Sequence, residues 1–435
     1  MVEFQLGFAN EETIKELSSI RNEPPWLLRN RLTALNNFND LPIETHPLFT
    51  KYINVRAEAT NEYIPYIEMV KSPIDIEDVP TNVSGIFHQN ENSLRNLYLD
   101  SELKEKGVML DTFHNFIKQY PEIIESWILG QDTISDRDKF SQMIKALFNT
   151  GVVIYVPDNQ SITKPILLCW NVGKEKTAIL ARTIVVLGEN SHATVIEEFE
   201  SSNRNDEKQK ALFSATTEVI VGEHSILKYQ SVQNLNKNTI LFLNRHANVG
   251  RDATLQWNLG HIGGDTIRSR IDNILRGRGA SVKEIDALYG TCSQSFDMFS
   301  YTLHLAEDTN SDILSKGVLQ DQSKAYTKGL VSIEKTGKGS DSYLGEFGMI
   351  LSREARFLAI PSLEIENHLI KRAKHASSVA QIDDKQIFYM MTRGISEREA
   401  RKLIVMGFLE PVVDKIPLEI VANRLRQLLE SKWNE

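Results

Sequence analysis

From residue 152 to about residue 366 the chain is a succession of short β-branched runs separated by polar turns, with almost no helical periodicity between them. Val152-Val153-Ile154-Tyr155-Val156 is stopped by Pro157. Pro165-Ile166-Leu167-Leu168-Cys169-Trp170 and Thr183-Ile184-Val185-Val186-Leu187 follow, each bounded by turn residues. A weak repeat runs through the region: a polar turn, a small residue, then alternation. Ala193-Thr194-Val195, Ala253-Thr254-Leu255 and Ala280-Ser281-Val282 are its clearest copies, and Ser225, Ser311, Ser323, Ser340 and Ala355 open looser ones. Taken in order, these small residues are 32, 28, 27, 31, 12, 17 and 15 positions apart, mostly near about 28–30 or half of it. Such a period predicts the coils of a β-solenoid, stacked turn on turn with a small residue at each tight corner. An antiparallel sandwich also yields short strands and polar turns, and the drift in spacing leaves it as the alternative.

The flanks read differently. Up to about residue 150 the pattern is mainly helical: Pro24-Pro25-Trp26 opens a segment in which Leu28, Leu32, Leu35 and Phe38 recur at three- to four-residue spacing. Pro42, Pro47, Pro65, Pro73 and Pro80 predict a loosely structured stretch over residues 41–90. Helical character returns from about 110 to 149, with Phe140, Met143, Ile144, Leu147 and Phe148 on one face. The last 55 residues are helical again: Asp383 caps one helix that Gly394 ends, Ser396 and Glu399 form a capping box for a second that Gly407 ends, and Pro417 starts a third carrying Leu418, Val421, Leu425 and Leu428. The expected organisation is a helical region over 1–150, a β-core over 151–380 and a helical domain over 381–435.

At 435 residues and 41% hydrophobic, the chain can bury a core without disulfides, and its two cysteines, Cys169 and Cys292, form no secreted framework. A net charge of −9 argues against a nucleic-acid-coating protein. The start Met1-Val2-Glu3-Phe4-Gln5 lacks a signal-peptide pattern and no run of about 18 apolar residues occurs, so a cytoplasmic protein without a membrane partner is expected.

Motifs of self-contained chemistry are missing. Thr336-Gly337-Lys338-Gly339-Ser340 lacks the spacing of a phosphate loop and reads as a turn; Gly260-His261-Ile262-Gly263-Gly264-Asp265 reads as a strand connection, since no helix follows it. There is no His-Glu-x-x-His, Cys-x-x-Cys or Gly-x-Ser-x-Gly. Cys169, within an apolar run, reads as a small buried residue, and Cys292, in Gly290-Thr291-Cys292-Ser293, as an exposed turn residue. Lys371-Arg372-Ala373-Lys374 is a basic stretch suited to a solvated face or an anionic partner surface. His375, between the strand Ser362-Leu363-Glu364-Ile365-Glu366 and the first C-terminal helix, places an imidazole suited to iron, zinc or copper at a junction.

Four stretches carry a family resemblance. Gln381-Ile382-Asp383-Asp384-Lys385-Gln386-Ile387-Phe388-Tyr389 with Thr392-Arg393-Gly394-Ile395-Ser396, Ala400, Ile404, Gly407 and Phe408 resembles the signature of the SufB/SufD family, scaffold subunits of the Suf iron–sulfur cluster assembly machinery. Pro25-Trp26-Leu27-Leu28-Arg29-Asn30-Arg31-Leu32 resembles its N-terminal helix, residues 146–157 its entry into the sheet, and Pro361-Ser362-Leu363-Glu364-Ile365 its segment before the histidine. The resemblance implies a mainly β fold, a right-handed parallel β-helix flanked by helical regions. It further implies pairing of SufB with SufD through the β-helices and docking of a SufC ATPase on the C-terminal helices, here around Phe388, Tyr389, Arg393 and Gly394. A nascent iron–sulfur cluster is then held transiently near the SufB–SufD interface by a SufB cysteine and a SufD histidine. Participation of a flavin stays open.

Two positions resemble the SufD side: Ala355 stands where SufB carries its cysteine, and Ala376 where SufB carries a glutamate. His375-Ala376-Ser377-Ser378 resembles the SufD segment, so His375 takes the place of its histidine as candidate cluster or iron ligand. The chain departs from the SufD pattern at Ala373, Ala376 and Leu344, which leaves one ligand rather than a constellation. The expected role is a SufD-like, non-enzymatic subunit pairing with a SufB-like paralogue and SufC, with a homodimer when alone. The alternatives are a divergent SufB-like homodimeric scaffold using Cys292 as sulfur acceptor, a β-helix polysaccharide-active enzyme, and a β-helix with no ATPase partner.

Overall fold

The computed structural model describes residues 4–55, 62–67, 70–71, 82–130, 136–201, 210–414 and 419–434. Pro73, Pro80, Pro417 and Leu418 lie outside them. Its core is a β-solenoid in which successive strands fall alternately into two sheets. One stacks Thr150–Val156, Thr177–Leu187, Ala211–Val221, Thr239–Val249, Thr266–Leu275, Ser295–His304, Lys324–Ile333 and Arg356–Ile365. The other stacks Ile166–Asn171, His192–Glu200, Ile226–Asn234, Thr254–His261, Ser281–Gly290, Asn310–Leu319, Asp341–Ile350 and Arg372–Gln381. Each of these strands pairs in parallel with the strands one coil before and after it, in unbroken register from Thr177–Leu187 onward. The sandwich is thereby excluded.

The corners explain the repeat. Asn190, His224, Asp252 and Asp308 take φ of 53°, 58°, 52° and 57°, and Gly279 and Gly339 take 72° each. Asparagine, aspartate and glycine tolerate this left-handed conformation best, so the turn selects them. Each is followed by a small, fully buried residue: Ser191, Ser225, Ala253, Ala280, Thr309 or Ser340. At Gly339 a Cβ would approach Asp308 Oδ1 of the previous coil to 2.5 Å, which leaves no room for a larger residue. Ser323 and Ala355 belong to the opposite corner, where Ser323 accepts the Arg356 amide of the next coil. The half-period spacings come from mixing two rows.

Alternation fills the interior with apolar side chains from both sheets, including Phe213, Leu241, Ile267 and Phe296 against Leu227, Leu255, Trp257 and Val282. The N-terminal helices cover the outer face of the first sheet. Pro25–Asp40 starts on Pro25 as expected and buries Leu27, Leu35 and Phe38. Its Arg31 is fully buried: Nη1 donates to the Ala146 and Phe148 carbonyls, and Nε and Nη2 grip Glu23 at 2.8 and 2.7 Å. Lys139–Leu147 buries the predicted Phe140, Met143, Ile144 and Leu147.

Strands, not only loops and helices, also occupy this half. Gly85–Asn90 pairs with Ser93–Leu99 and in parallel with Ile166–Asn171, while Met109–Thr112 pairs antiparallel with Thr150–Val156. These segments satisfy the otherwise open backbone of the first coil, a tertiary need that local pattern does not advertise.

Candidate functional site

The solenoid has one covered end and one open end. Beyond Arg356–Ile365 and Arg372–Gln381 no further strand is hydrogen-bonded among the described residues. Arg372–Gln381 is mostly exposed and Arg356–Ile365 is partly so, whereas Ala211–Val221 or Thr239–Val249 are almost wholly buried. Leu358, Ile365, Leu369 and Val379 expose 37%, 45%, 53% and 39% of their surface there. Unpaired strand edges with exposed apolar side chains form a template for another chain.

His375 stands in the middle of this mouth. The expectation of a junction loop is corrected: residues 372–381 are a strand, and His375 registers directly over buried Leu344. Its neighbours Arg372-Ala373-Lys374 and Ala376-Ser377-Ser378 lack β-branching, and the strand exists because its backbone completes the ladder with Asp341–Ile350. Alternation puts His375 in the inward row with Ala373 and Ser377, yet the imidazole is exposed because no coil lies above it. Of the adjoining cations, Lys371 Nζ lies 3.5 Å from Asp308 and Arg372 Nε 2.7 Å from Asp341. Ala355, at the place of the SufB cysteine, is buried at its corner.

One coil deeper, the inward Glu346 is 2% exposed. Its Oε2 has no hydrogen-bond partner, and burial pushes its carboxyl up to about 8. It registers under Ser377, diagonal to His375. Sequence reading missed it, although an acid in the inward half of the Tyr343-Leu344-Gly345-Glu346 alternation was the available signal. No group of three or more His, Cys, Asp or Glu side chains able to hold a metal occurs among the described residues.

Beside the mouth, the helices Asp384–Thr392, Glu397–Val413 and Glu419–Asn434 are anchored on the outer face of the second sheet. Val405, Leu409, Val412, Val421 and Leu425 pack on Val232, Ile262, Ile285, Ala287 and Val318. Lys316 Nζ donates to the Phe408 carbonyl at 2.8 Å, and Arg424 pairs with Glu200. Asp383 caps the first helix, and Gly394, at φ 85°, turns the chain after it. The capping box of Ser396 and Glu399 forms as expected. Ser396→Ala is expected to cost about 1 kcal/mol, read in urea unfolding.

Gly407 does not end the second helix, which runs through Pro411 to Val413. Burial of Leu409, Val412 and Val413 on the sheet outweighs the helix-weakening glycine. On the free side Phe388, Tyr389, Met391 and Leu403 are 68%, 58%, 44% and 54% exposed. The Arg393 guanidinium sits 5.3 Å from the Tyr389 ring centre and donates to its hydroxyl at 3.2 Å. Lys385, Gln386, Tyr389, Met390 and Ile404 line an open groove between the first two helices.

Neither cysteine stands at the mouth. Cys169 is half-buried on the outer side of its strand rather than in the core, and burial with Glu198 and Glu200 nearby pushes its thiol up to about 12. Cys292 is an exposed corner residue at φ 53°, its amide donating to Asp321 Oδ2 at 2.8 Å.

No helix of the described residues is long and apolar enough to cross a membrane. Residues 170–408 match the family described as SUF system FeS cluster assembly, SufBD core domain, and residues 12–168 match the SufBD protein N-terminal region. The chain is 30% identical to the iron–sulfur cluster assembly protein SufD of Bacillus subtilis (strain 168), over 97% of this chain and 98% of that protein. It is 26% identical to an iron–sulfur cluster assembly SufBD family protein of Staphylococcus aureus (strain MRSA252), over 95% of this chain and 91% of the other. A β-solenoid of this construction, matched over nearly its whole length, belongs to the SufB/SufD family of iron–sulfur cluster assembly proteins.

Proposed function

We propose that this chain is the SufD-type subunit of a cytoplasmic cluster-assembly complex, pairing with a SufB-type partner through the open mouth of its solenoid. The observation that carries this reading is the juxtaposition of His375 with unpaired strand edges and exposed apolar side chains on the last coil. Pairing there would bury Leu358, Ile365 and Val379 and satisfy free backbone groups. His375 contributes one neutral imidazole to a nascent cluster, a cargo whose thiolates come from the partner. The chain's own part is to orient that ring and wall the site from water, without catalysing a reaction itself.

The C-terminal helices offer the exposed Phe388–Tyr389 ridge, with Arg393 and the turn at Gly394, as the dock for a SufC-type ATPase. In this reading residues 1–150 cap the solenoid, 151–380 build it and 381–435 hold the ATPase. Phe388→Ala with Tyr389→Ala is expected to weaken ATPase capture at least about tenfold while leaving the SufB-type partner bound. Equal capture would move the dock elsewhere.

The test of the mouth is co-expression with cognate SufB- and SufC-type partners, anaerobic purification, and assay of iron and acid-labile sulfide with and without His375→Ala. The expected result is an intact three-component complex that loses most of its iron and sulfide in the variant. Unchanged content removes His375 as a ligand, and the absence of a complex overturns the SufD-type reading.

A further inference from the structure

Where the N-terminal helices meet the first coil, packing leaves a hollow of about 250 Å³. It lies between the helix Glu11–Arg21, the helix Phe113–Gln119 and the chain entering the strand Thr150–Val156. Native interiors hold few voids larger than a water molecule, so a space of this size stands out. Most of its wall is apolar, from Ile20, Ile67, Leu94, Phe113, Ile117 and Phe148. Phe113 and Phe148 meet edge to face at 4.9 Å, and the buried Arg31 guanidinium lies 3.6 Å from the Phe148 ring centre. Ile20 is 43% exposed and His114 is half-buried, so the hollow opens to solvent on their side.

Two polar groups on this wall are short of partners. Arg21 is 8% exposed; its Nη2 donates to the Ile67 and Asn149 carbonyls at 3.1 and 2.5 Å, and no carboxylate pairs with it among the described residues. The acid on the wall, Glu23, is already gripped by Arg31 at 2.8 and 2.7 Å, which cancels its charge. Burial, with Arg31 adding to it, pulls the Arg21 guanidinium down to about 10, and Glu23 offsets only part of that. Arg21 is therefore charged at neutral pH in a place short of negative charge. The His114 imidazole has no hydrogen-bond partner among the described residues, and burial, then Lys118 and Arg21, push it down to about 4. At neutral pH it is uncharged and offers one N–H and one acceptor nitrogen.

We propose that this hollow binds a small monocarboxylate with an apolar body, its carboxylate on Arg21 and its body against Phe113 and Phe148. A planar carboxylate matches the edge of a guanidinium, and neutral His114 can donate a further hydrogen bond. One uncompensated positive charge in an apolar wall suits a single negative charge, whereas a phosphate dianion would bury a second one unpaired. An apolar cavity of roughly 150 Å³ takes up benzene. The larger hollow here holds a ring or a short chain together with its carboxylate. Such an occupant touches both the helical cap and the first coil, at the end of the solenoid away from His375. The site stands on this geometry and does not depend on the cluster-assembly reading.

Benzoate and its neutral counterpart benzamide are the probes, titrated calorimetrically into the isolated full chain at pH 7. Benzoate is expected to bind with a Kd of about 0.1–1 mM, at least about tenfold tighter than benzamide. His114→Trp fills the hollow without removing a hydrogen bond, and Arg21→Gln removes the charge. Each is expected to weaken benzoate at least about tenfold. Between about pH 6 and 9 the affinity should stay level, because Arg21 keeps its charge and His114 stays neutral. Affinity that rises only below about pH 5 puts the anion on a protonated His114 and overturns the role of Arg21. Absence of binding up to about 10 mM benzoate, or equal binding of benzamide, overturns the site. Benzoate binding that both variants leave untouched lies elsewhere and overturns it too. If Arg21→Gln fails to fold, seen in its circular dichroism, His114→Trp and the ratio of benzoate to benzamide affinity decide.

Discussion

Asp138→Ala is expected to destabilise the protein by about 3–5 kcal/mol at pH 7, the cost of stripping the counter-ion from a buried cation. Asp138 is 2% exposed and works at three levels. As N-cap of Lys139–Leu147 it accepts from Ser141 N at 2.8 Å and Ser141 Oγ at 2.7 Å. As a charge it pairs with Arg268 and lies 3.9 Å from Arg270, both on the outer face of the first sheet. As a tie it fixes a helix whose Phe140 ring lies 4.5 Å from the Arg268 guanidinium. Alanine removes the cap and leaves the buried Arg268 guanidinium without its counter-charge, while Arg270 keeps Asp272 at 3.0 Å; asparagine keeps the cap and isolates the charge component.

Burial alone would push the Asp138 carboxyl up, but Arg268, Arg270 and Ser141 outweigh it and hold it well below the usual carboxylate range. A depressed carboxyl contributes stability above its unfolded value, about 3.9, and loses it as pH falls toward the folded value. The difference between the native protein and Asp138→Asn should therefore be full at neutral pH and shrink below about pH 4. Urea midpoints at pH 7 and pH 3.5 measure it, and a loss under about 1 kcal/mol at pH 7 would mean that Arg268 is satisfied without Asp138.

The second large effect has the opposite sign. Burial, joined at Glu284 by the nearby Asp286, pushes the carboxyls of Glu284 and Glu346 up to about 8. An acid with a raised folded value keeps its proton in the native state after the unfolded chain has released it. Stability then falls as pH rises from the unfolded value, about 4.3, toward 8, and levels off above. Glutamine at both positions mimics the protonated form and is expected to flatten this slope, gaining on the order of 3–5 kcal/mol over the native protein at pH 9 and little at pH 5. At Glu284 the amide oxygen can still accept from Asn273. Parallel pH slopes in the two proteins would show both carboxylates to be solvated when ionised.

The solenoid was legible because its constraint is repeated: each corner needs a left-handed residue followed by a small one, and Asp252-Ala253, Gly279-Ala280 and Gly339-Ser340 state that rule openly. The end of the solenoid was not. Arg372-Ala373-Lys374-His375 reads as a basic junction, since nothing local favours a strand, and only the waiting edge of Asp341–Ile350 makes it one. Gly407 misled for a related reason, because apolar burial beyond it carries the helix onward. His375 was singled out by resemblance and by its setting in the chain, whereas Glu346 was hidden by alternation. An acid in a half-polar strand looks like part of the wet face until the register shows which way it points.

The ladder of coils makes length a quantity the protein can count. Each coil is locked to the one before and the one after, so inserting or deleting a whole coil keeps the same kind of strand-to-strand contact and changes only how many there are. What it alters is distance, by about 4.8 Å per coil. The barrel of the fold is thus a gauge between the fixed cap at its first coil and the surface that greets a partner at its last. A partner built to one count would meet a neighbour of another count out of step, even with every surface residue the same.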